Sequence, residues 1–441
     1  MTQTQLEALY SLHIQELQSR TRQVLQREQL DALVIHSGQA KRVFLDDMDY
    51  PFKVNPHFKH WLPVTEVPNS WLVVNGEDKP KLIYYQPNDF WHKVIELRDE
   101  FWLEHFDIQI LTQANEVEQH LPRVLTDYAY IGEHLGVAKA LGFEQVNPEA
   151  VLNYLHYHRA YKTDYEHECL RRSTEKAVKG HIAAKQAFLA GRTEFEINQA
   201  YLNACLHDEN QVPYTNIIAL NENAAILHYM VRDNQAPKEL RSFLIDAGAS
   251  YNGYASDITR TYSLKDDAFA DLVKVMDDVQ QKLVKGLKPQ LKYGDLHVQC
   301  HLELAHVLEE FGIINIGAEQ AVEKQITRTF FPHGLGHHLG LQVHDVGGFM
   351  ADVRGTHVEP PKDHPYLRTT REVEVGQVFT IEPGLYFIDS LLAELKDSSA
   401  GKYVNWNKVD AFKPYGGIRI EDNVIVHHTH NENMTRNAGL D

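Results

Sequence analysis

Residues 330–345 read FFPHGLGHHLGLQVHD and set His333, His337, His338 and His344 among Gly334, Gly336 and Gly340. Imidazole ligates metals and moves protons near neutral pH, so such a cluster is a candidate site. His333 and His337 are spaced for one helix face, as in the zinc motif HExxH, but no Glu follows His333. Glycine inside a helix also costs roughly 1 kcal/mol at each position. The stretch is therefore expected to be an irregular loop or short strand whose glycines let the backbone approach something closely. A histidine-rich polar surface loop is the plainer alternative, and it is the rest of the chain that weighs against it.

At 441 residues the chain has room for two or three domains. Its formal net charge of −18, with no Lys/Arg-rich run, argues against nucleic acid or an anionic membrane as the main partner. Cys169, Cys205 and Cys300 are odd in number and far apart, which fits a reducing cytoplasm better than a disulfide framework. The first ten residues lack a basic stretch followed by an apolar run, and no run of 18 apolar residues occurs, so neither a signal peptide nor a bilayer span is expected.

Along the chain, residues 4–29 have the spacing of an amphipathic helix, and 32–35 form an apolar run of strand length. Residues 71–74 and 81–85 flank Asn75-Gly76 and predict a hairpin. Further strands are expected at 106–111 and 128–131, giving an N-terminal α/β domain over 1–160. From about 160 to 190 a long helix should run to Gly191, followed by a capping box at Thr193–Glu196. Helices near 267–286 and 295–312, and strands at 216–220, 243–247, 254–262, 377–388 and 417–427, make up a second domain over 161–441. The polar insertion 350–371 reads as a long loop, of the sort that forms lids or pocket walls. The fold class is α+β.

Chemistry concentrates in the second half. Asp246 ends the apolar run FLID, and Asp257 follows eleven positions later on the return arm, past Asn252-Gly253. Two carboxylates facing each other on a hairpin repel unless one is protonated or a cation lies between them. Each could instead cap a turn at a strand end. Glu382 sits in the apolar run QVFTIEPGLYF, where a lone carboxylate is costly to desolvate. In GIRIEDNVIV, strand alternation puts Arg419 and Glu421 on one face, which also admits a buried Arg419–Glu421 ion pair. Taken together, inward acids plus histidine suit a two-metal site for Mn, Co, Zn or Fe.

These segments, Asp246…Asp257, HGLGHHLG, TIEPG and GGIRIED in that order, resemble the metallopeptidases of pita-bread fold, which include methionine aminopeptidase, aminopeptidase P and prolidase. The resemblance covers about 165–441 and extends to a preceding α/β domain of the creatinase/prolidase type. It implies that Asp246 and Asp257 chelate one divalent ion, that Asp257, His337 and Glu382 hold a second, and that Glu421 bridges both. The two ions would be Mn²⁺. It further implies that His228, His333 and His344 line the substrate site, and that Arg419 meets the carboxylate of the substrate proline. FLDDMDYPFKVNPHFKHWLP (44–63) and the insertion around His364-Pro365-Tyr366-Leu367 resemble the bacterial-type prolidases, a branch that includes organophosphorus acid anhydrolases. Asp345 departs from that pattern, since relatives often carry Glu after the last histidine.

The activity so implied is hydrolysis of Xaa-Pro dipeptides by a hydroxide between two ions, with Glu382 as proton carrier and His228 and His344 at the intermediate. Organophosphorus P–F and P–O esters would be side substrates. Tyr214, Val343 and His344 are expected to wall the proline pocket, Tyr293 and Leu367 to form its lid, and Leu227 to be a further substrate-binding residue. Relatives are usually dimers, so a homodimer or higher homo-oligomer is expected, in which Asp47 could reach a partner's pocket. Aminopeptidase P is the rival enzyme, and a metal-free binding module of the same fold the rival of another class. Retention of all five ligand positions argues against the module and against creatinase. His338 is expected to face solvent or stand behind the ligands, and Trp91 to serve as domain-interface core or as pocket wall.

Overall fold

The computed structural model describes residues 2–441; Met1, first residue of the expected N-terminal domain, lies outside the described residues. The chain divides into two compact units. One runs to Cys169 and takes in Asp352–Thr356, and the other comprises Leu170–Ala351 and His357–Asp441.

The first unit begins with α1 (Gln3–Glu28), closed at its start by a capping box between Thr2 and Gln5. Leu6, Tyr10, Ile14, Leu17 and Val24 form its buried stripe. Then come β1 (Ala32–His36), α2 (Pro56–Trp61), β2 (Trp71–Val74), β3 (Lys81–Tyr85), β4 (Asp107–Leu111), β5 (Tyr128–Ile131), α3 (Leu135–Leu141), β6 (Gln145–Val146) and α4 (Glu149–Arg159). The strands make one mixed sheet in the order β4-β3-β2-β1-β5-β6. β2 and β3 pair antiparallel, as the Asn75-Gly76 turn predicts, and the Asn75 side chain accepts from the Glu77 and Asp78 amides. Trp91 is 79% exposed, so it is not core of this unit.

The long helix expected over about 160–190 forms as α5 (Asp164–Leu189), four residues after α4 ends. The second unit continues with α6 (Glu194–Cys205), whose Thr193–Glu196 capping box forms as expected. β7 (Ile217–Leu220), β8 (Ser242–Asp246), β9 (Ser250–Tyr251), β10 (Tyr254–Ala255) and β11 (Thr259–Ser263) follow. α7 (Ala268–Gly286) and α8 (Tyr293–Glu310) precede β12 (Val378–Ile381), β13 (Gly384–Tyr386), β14 (Gly417–Arg419), β15 (Asp422–Val426) and β16 (Asn431–Asn433). The sheets are β11-β8-β7, β12-β15-β16 and the pairs β9-β10 and β13-β14. Residues 351–371 are irregular, as the insertion predicts.

Three expected strands are broken. Residues 254–262 split into β10 and β11, 377–388 into β12 and β13, and 417–427 into β14 and β15. Asp257, Glu382 and Glu421 each lie in one of these breaks. At Glu382 the cause is local, because Pro383 has no amide to give to a ladder. At Glu421 the chain changes partner: its amide donates to the Thr259 carbonyl at 3.0 Å, carrying it from one sheet to the next. A residue in such a break is freed from strict alternation, so its carboxylate can turn toward a shared centre.

Candidate metal centre and substrate site

The Asn252-Gly253 turn has both residues at positive φ, 50° and 85°, as a tight hairpin turn needs. Beyond it Asp246 pairs with Thr259, while Asp257 stands in the preceding break. The Tyr214 hydroxyl lies 2.7 Å from Asp246 Oδ1 and 2.5 Å from Asp257 Oδ1. One O–H serves both oxygens, so the hydroxyl is shared between the two carboxylates. The two acids therefore meet through Tyr214, and the turn-capping alternative does not describe them.

The glycine-rich stretch lies alongside β12. Thr380 N–H donates to the His337 carbonyl at 3.0 Å, Leu339 N–H to Val378, and Glu382 N–H to Leu335. Gly336 makes that approach possible, because a Cβ there would stand 2.1 Å from the Thr380 carbonyl oxygen and 2.4 Å from the Tyr293 hydroxyl. The result delivers His337 to the acids. Its Nε2 is 3.4 Å from Asp257 Oδ2 and 3.5 Å from Glu382 Oε1. Its Nδ1 is 2.9 Å from the His338 carbonyl, which can only accept, so Nδ1 carries a hydrogen and Nε2 is the nitrogen turned to the carboxylates.

Hydroxyls orient the remaining acids. Thr259 Oγ1 donates to Glu421 Oε2 at 2.6 Å, and Thr380 Oγ1 to Glu382 Oε1 at 3.2 Å. Ligand atoms of Asp257, His337 and Glu421 lie within 4.8 Å of one another. Arg419 does not pair with Glu421. Its Nη2 bonds Asp246 Oδ2 at 2.7 Å, its Nη1 the Tyr386 hydroxyl at 2.9 Å and its Nε Thr259 Oγ1 at 3.2 Å. The alternation argument fails because the strand breaks after Arg419.

The charge balance bears on what the cluster can hold. Burial, then the charges of Asp257, Glu382 and Asp246, push the Glu421 carboxyl well up. Burial pushes Glu382 to about 7, and it raises Asp246 against the pull of Arg419. Asp257 goes the other way: burial opposes it, but the hydrogen bond and charge of His337 hold it below the usual range. For His337, burial is likewise overcome by Asp257 and Glu382, which hold its imidazole above its ordinary value. Four inward carboxylates with one guanidinium and one imidazole are short of positive charge, and divalent cations would supply it.

Beside these groups runs a proton-ordered chain. Arg419 Nη1 donates to the Tyr386 oxygen, and the Tyr386 hydroxyl donates to His333 Nε2 at 2.8 Å. His333 Nδ1 in turn donates to the Gly334 carbonyl at 2.8 Å. Burial, then Arg419, lower His333 to about 3, so it is neutral at physiological pH. His344 is exposed and presents its ring edge-to-face to His337, centroids 4.4 Å apart. His228 is exposed, and Leu227 and Val343 are half-buried. Tyr293 and Leu367, expected as a lid, are instead core residues at 0% and 2% exposure, and Tyr293 donates to the Thr380 carbonyl under the loop. Asp47 belongs to the other unit, in an exposed loop. His338 does not face solvent; it is 2% exposed, with its ring against Phe379.

Sequence reasoning missed Tyr386, Thr259 and Thr380. A hydroxyl beside an acid in an apolar strand, as in TIE, is a usable signal for the last. Nothing local marks the other two. It also passed over His297 and His301, although their i, i+4 spacing was in view.

Residues 8–157 match the family described as Xaa-Pro dipeptidase, N-terminal domain, and residues 168–428 match metallopeptidase family M24. The chain is 61% identical over 435 residues to an Xaa-Pro dipeptidase of Colwellia psychrerythraea, covering 99% of this chain and 98% of that protein. It is 60% identical over 440 residues to one of Pseudoalteromonas atlantica, covering 99% of each. Among solved structures, aminopeptidase P from Escherichia coli with the inhibitor Pro-Leu superposes with a TM-score of 0.74 at 24% identity, over 97% of this chain and 96% of that one. Proline aminopeptidase P II from Yersinia pestis gives 0.72 at 24% identity, over 97% of both chains. These structures share the two-domain pita-bread fold.

Proposed function

This chain belongs to metallopeptidase family M24, and on that premise we propose that it is an Xaa-Pro dipeptidase, cleaving the bond before a C-terminal proline. The observation that carries the reading is the inward cluster of Asp246, Asp257, Glu382 and Glu421 with His337, whose Nε2 faces Asp257 and Glu382, and with Arg419 on Asp246. Asp246, Asp257, His337, Glu382 and Glu421 would hold two divalent ions, Mn²⁺ by preference of an oxygen-rich set. Two such ions supply Lewis acidity and a water of lowered pKa.

The chain's own residues divide the remaining work. Glu382 takes the proton of the attacking water and passes it to the proline nitrogen as the C–N bond breaks. Arg419 uses one hydrogen each of Nη1 and Nη2 within the site and keeps the other two for the substrate carboxylate. Tyr386 and His333 fix the guanidinium plane. His344 and His228, at the open side, hold the tetrahedral intermediate, while Tyr214, Leu227 and Val343 shape the proline pocket. A phosphotriester or P–F ester can enter the same site because its tetrahedral phosphorus resembles that intermediate.

The second reading is aminopeptidase P, favoured by the solved structures the fold matches. Proline release from Ala-Pro and from Ala-Pro-Ala, after stripping metal and restoring Mn²⁺, separates the two. Cleavage of the dipeptide alone supports the proposal, whereas cleavage of the tripeptide moves the reading to aminopeptidase P. Hydrolysis of a P–F ester by the Mn²⁺ form would support the side activity. The enzyme is proposed to act in the cytoplasm as a homodimer or higher homo-oligomer. Free, buried cysteines support the first point. Exposed Phe44 and Leu45 near Asp47 support the second, which sedimentation velocity tests. No helix of the described residues is long and apolar enough to cross a membrane.

A further inference from the structure

A second group of histidines lies in the same unit, on α8 and the loop that follows residue 357. His297 and His301 are one helical turn apart, and His364 comes down on them from the loop. The three ring centroids form a near-equilateral triangle, 4.7, 4.5 and 4.8 Å on a side. His297 Nε2 is 3.0 Å from His364 Nδ1 and 3.2 Å from His301 Nε2. All three ligand atoms fall within 4.8 Å of one another.

Hydrogen bonds alone satisfy this arrangement poorly. His297 Nε2 faces two ring nitrogens at once, with a single lone pair or a single hydrogen to offer. Among the described residues, its Nδ1 is buried without a hydrogen-bond partner. Burial pushes His297 down to about 2 and His301 to about 3, so both rings are neutral and their lone pairs are available.

An ion at the centre resolves the conflict at Nε2, because a cation accepts all three lone pairs together, while the His297 Nδ1 hydrogen stays without a protein acceptor among the described residues. Tetrahedral ligation at 2.0–2.1 Å sets neighbouring nitrogens about 3.4 Å apart, close to the separations here. His301 Nδ1 then donates to Thr327 Oγ1, 2.9 Å away, the outer contact that fixes a ligating imidazole. A cavity of about 360 Å³, with His297, His301, His364 and His333 in its lining, gives an ion access to the three rings. Arg328, a cation of the same lining, is turned to Gln325 at 2.8 Å and Asp363 at 3.8 Å.

We infer that His297, His301 and His364 form a second metal site, which takes one borderline divalent ion such as zinc and fastens the His364 loop to α8. With three imidazoles and no carboxylate among its ligands, the site discriminates against Mn²⁺, the ion that suits the carboxylate centre. The inference does not rest on the proposed dipeptidase activity.

The test uses the full chain with the first centre disabled, as Asp246→Asn/Asp257→Asn. Zinc per chain is measured after dialysis against buffered Zn²⁺, and Co²⁺ substitution reports tetrahedral geometry in the visible spectrum. The expected result is one zinc per chain, a rise in melting temperature with Zn²⁺ but not Mn²⁺, and at least tenfold weaker zinc binding after His364→Gln. His297→Asn repeats the test from the helix side. Retention of zinc by either variant with a native circular dichroism spectrum would overturn the inference, as would equal binding of Mn²⁺.

Discussion

At the scale of single residues, environment sets what each carboxylate can do. Glu382 and Asp257 both face His337, yet burial raises one and the His337 hydrogen bond lowers the other. Without metal the Glu382 carboxyl is poised at about 7, and beside the attacking water it is the group placed to carry the proton. Glu382→Gln should therefore lower kcat for Ala-Pro on the order of 10²–10⁴-fold, and full turnover in that variant would sink the assignment. The same group affects stability without metal. Its folded pKa of about 7 lies above the ordinary 4.5, so its stabilising contribution is complete below about 4.5 and is lost as pH rises to about 7. Metal-free wild type should lose more melting temperature between pH 5 and pH 8 than Glu382→Gln does, by an amount worth a few kcal/mol. Parallel melting profiles would count against this.

At the scale of elements, the site depends on a close backbone contact and a buried ionic anchor. Gly336→Ala would drive a methyl group into the Thr380 carbonyl and push the loop off β12. A cost of about 1–3 kcal/mol and loss of bound metal are expected. Gly317→Ala, where a Cβ meets nothing within 4 Å, is the control. The second support is Asp422, next to Glu421 and fully buried. It receives Arg260 Nη2 at 2.7 Å, Arg436 Nε at 2.9 Å and Asn433 at 2.7 Å. Asp422→Ala removes the carboxylate that pairs with the buried Arg260, while Arg436 keeps Asp277, so chemical denaturation should show a loss of about 3–5 kcal/mol. A loss below 1 kcal/mol would mean that water replaces the carboxylate.

At the scale of the molecule, the two units have separate cores. One gathers Val34, Trp71, Ile83 and Tyr130, while the larger runs from Phe269 to Val426. All five proposed metal ligands belong to the second unit. Chelation should thus lower the calorimetric transition of that unit and leave the first unit's transition in place, with complete loss of peptidase activity. A uniform shift of both transitions would show that the cores do not melt independently.

Much of this was legible in the chain itself. The apolar runs ending in Asp246, Glu382 and Glu421 mark buried acids because a strand core does not tolerate an unpaired charge. The glycines of residues 334–340 announce a close approach because only a missing Cβ allows it. The capping box at Thr193 and the Asn75-Gly76 hairpin are local signals, and they formed where local chemistry put them. Other features depend on residues far apart in sequence. Arg419 pairs with Asp246, 173 positions away, because the strand breaks before Glu421 and a neighbouring sheet captures its amide. Tyr293 and Leu367 are core, although their local sequence fits a lid equally well. The meeting of His364 with His297 and His301 depends on where an irregular loop comes to rest. Local propensity and desolvation cost act within a few residues and can be read from the chain. Partner choice among buried polar groups is settled only when the sheets assemble around them.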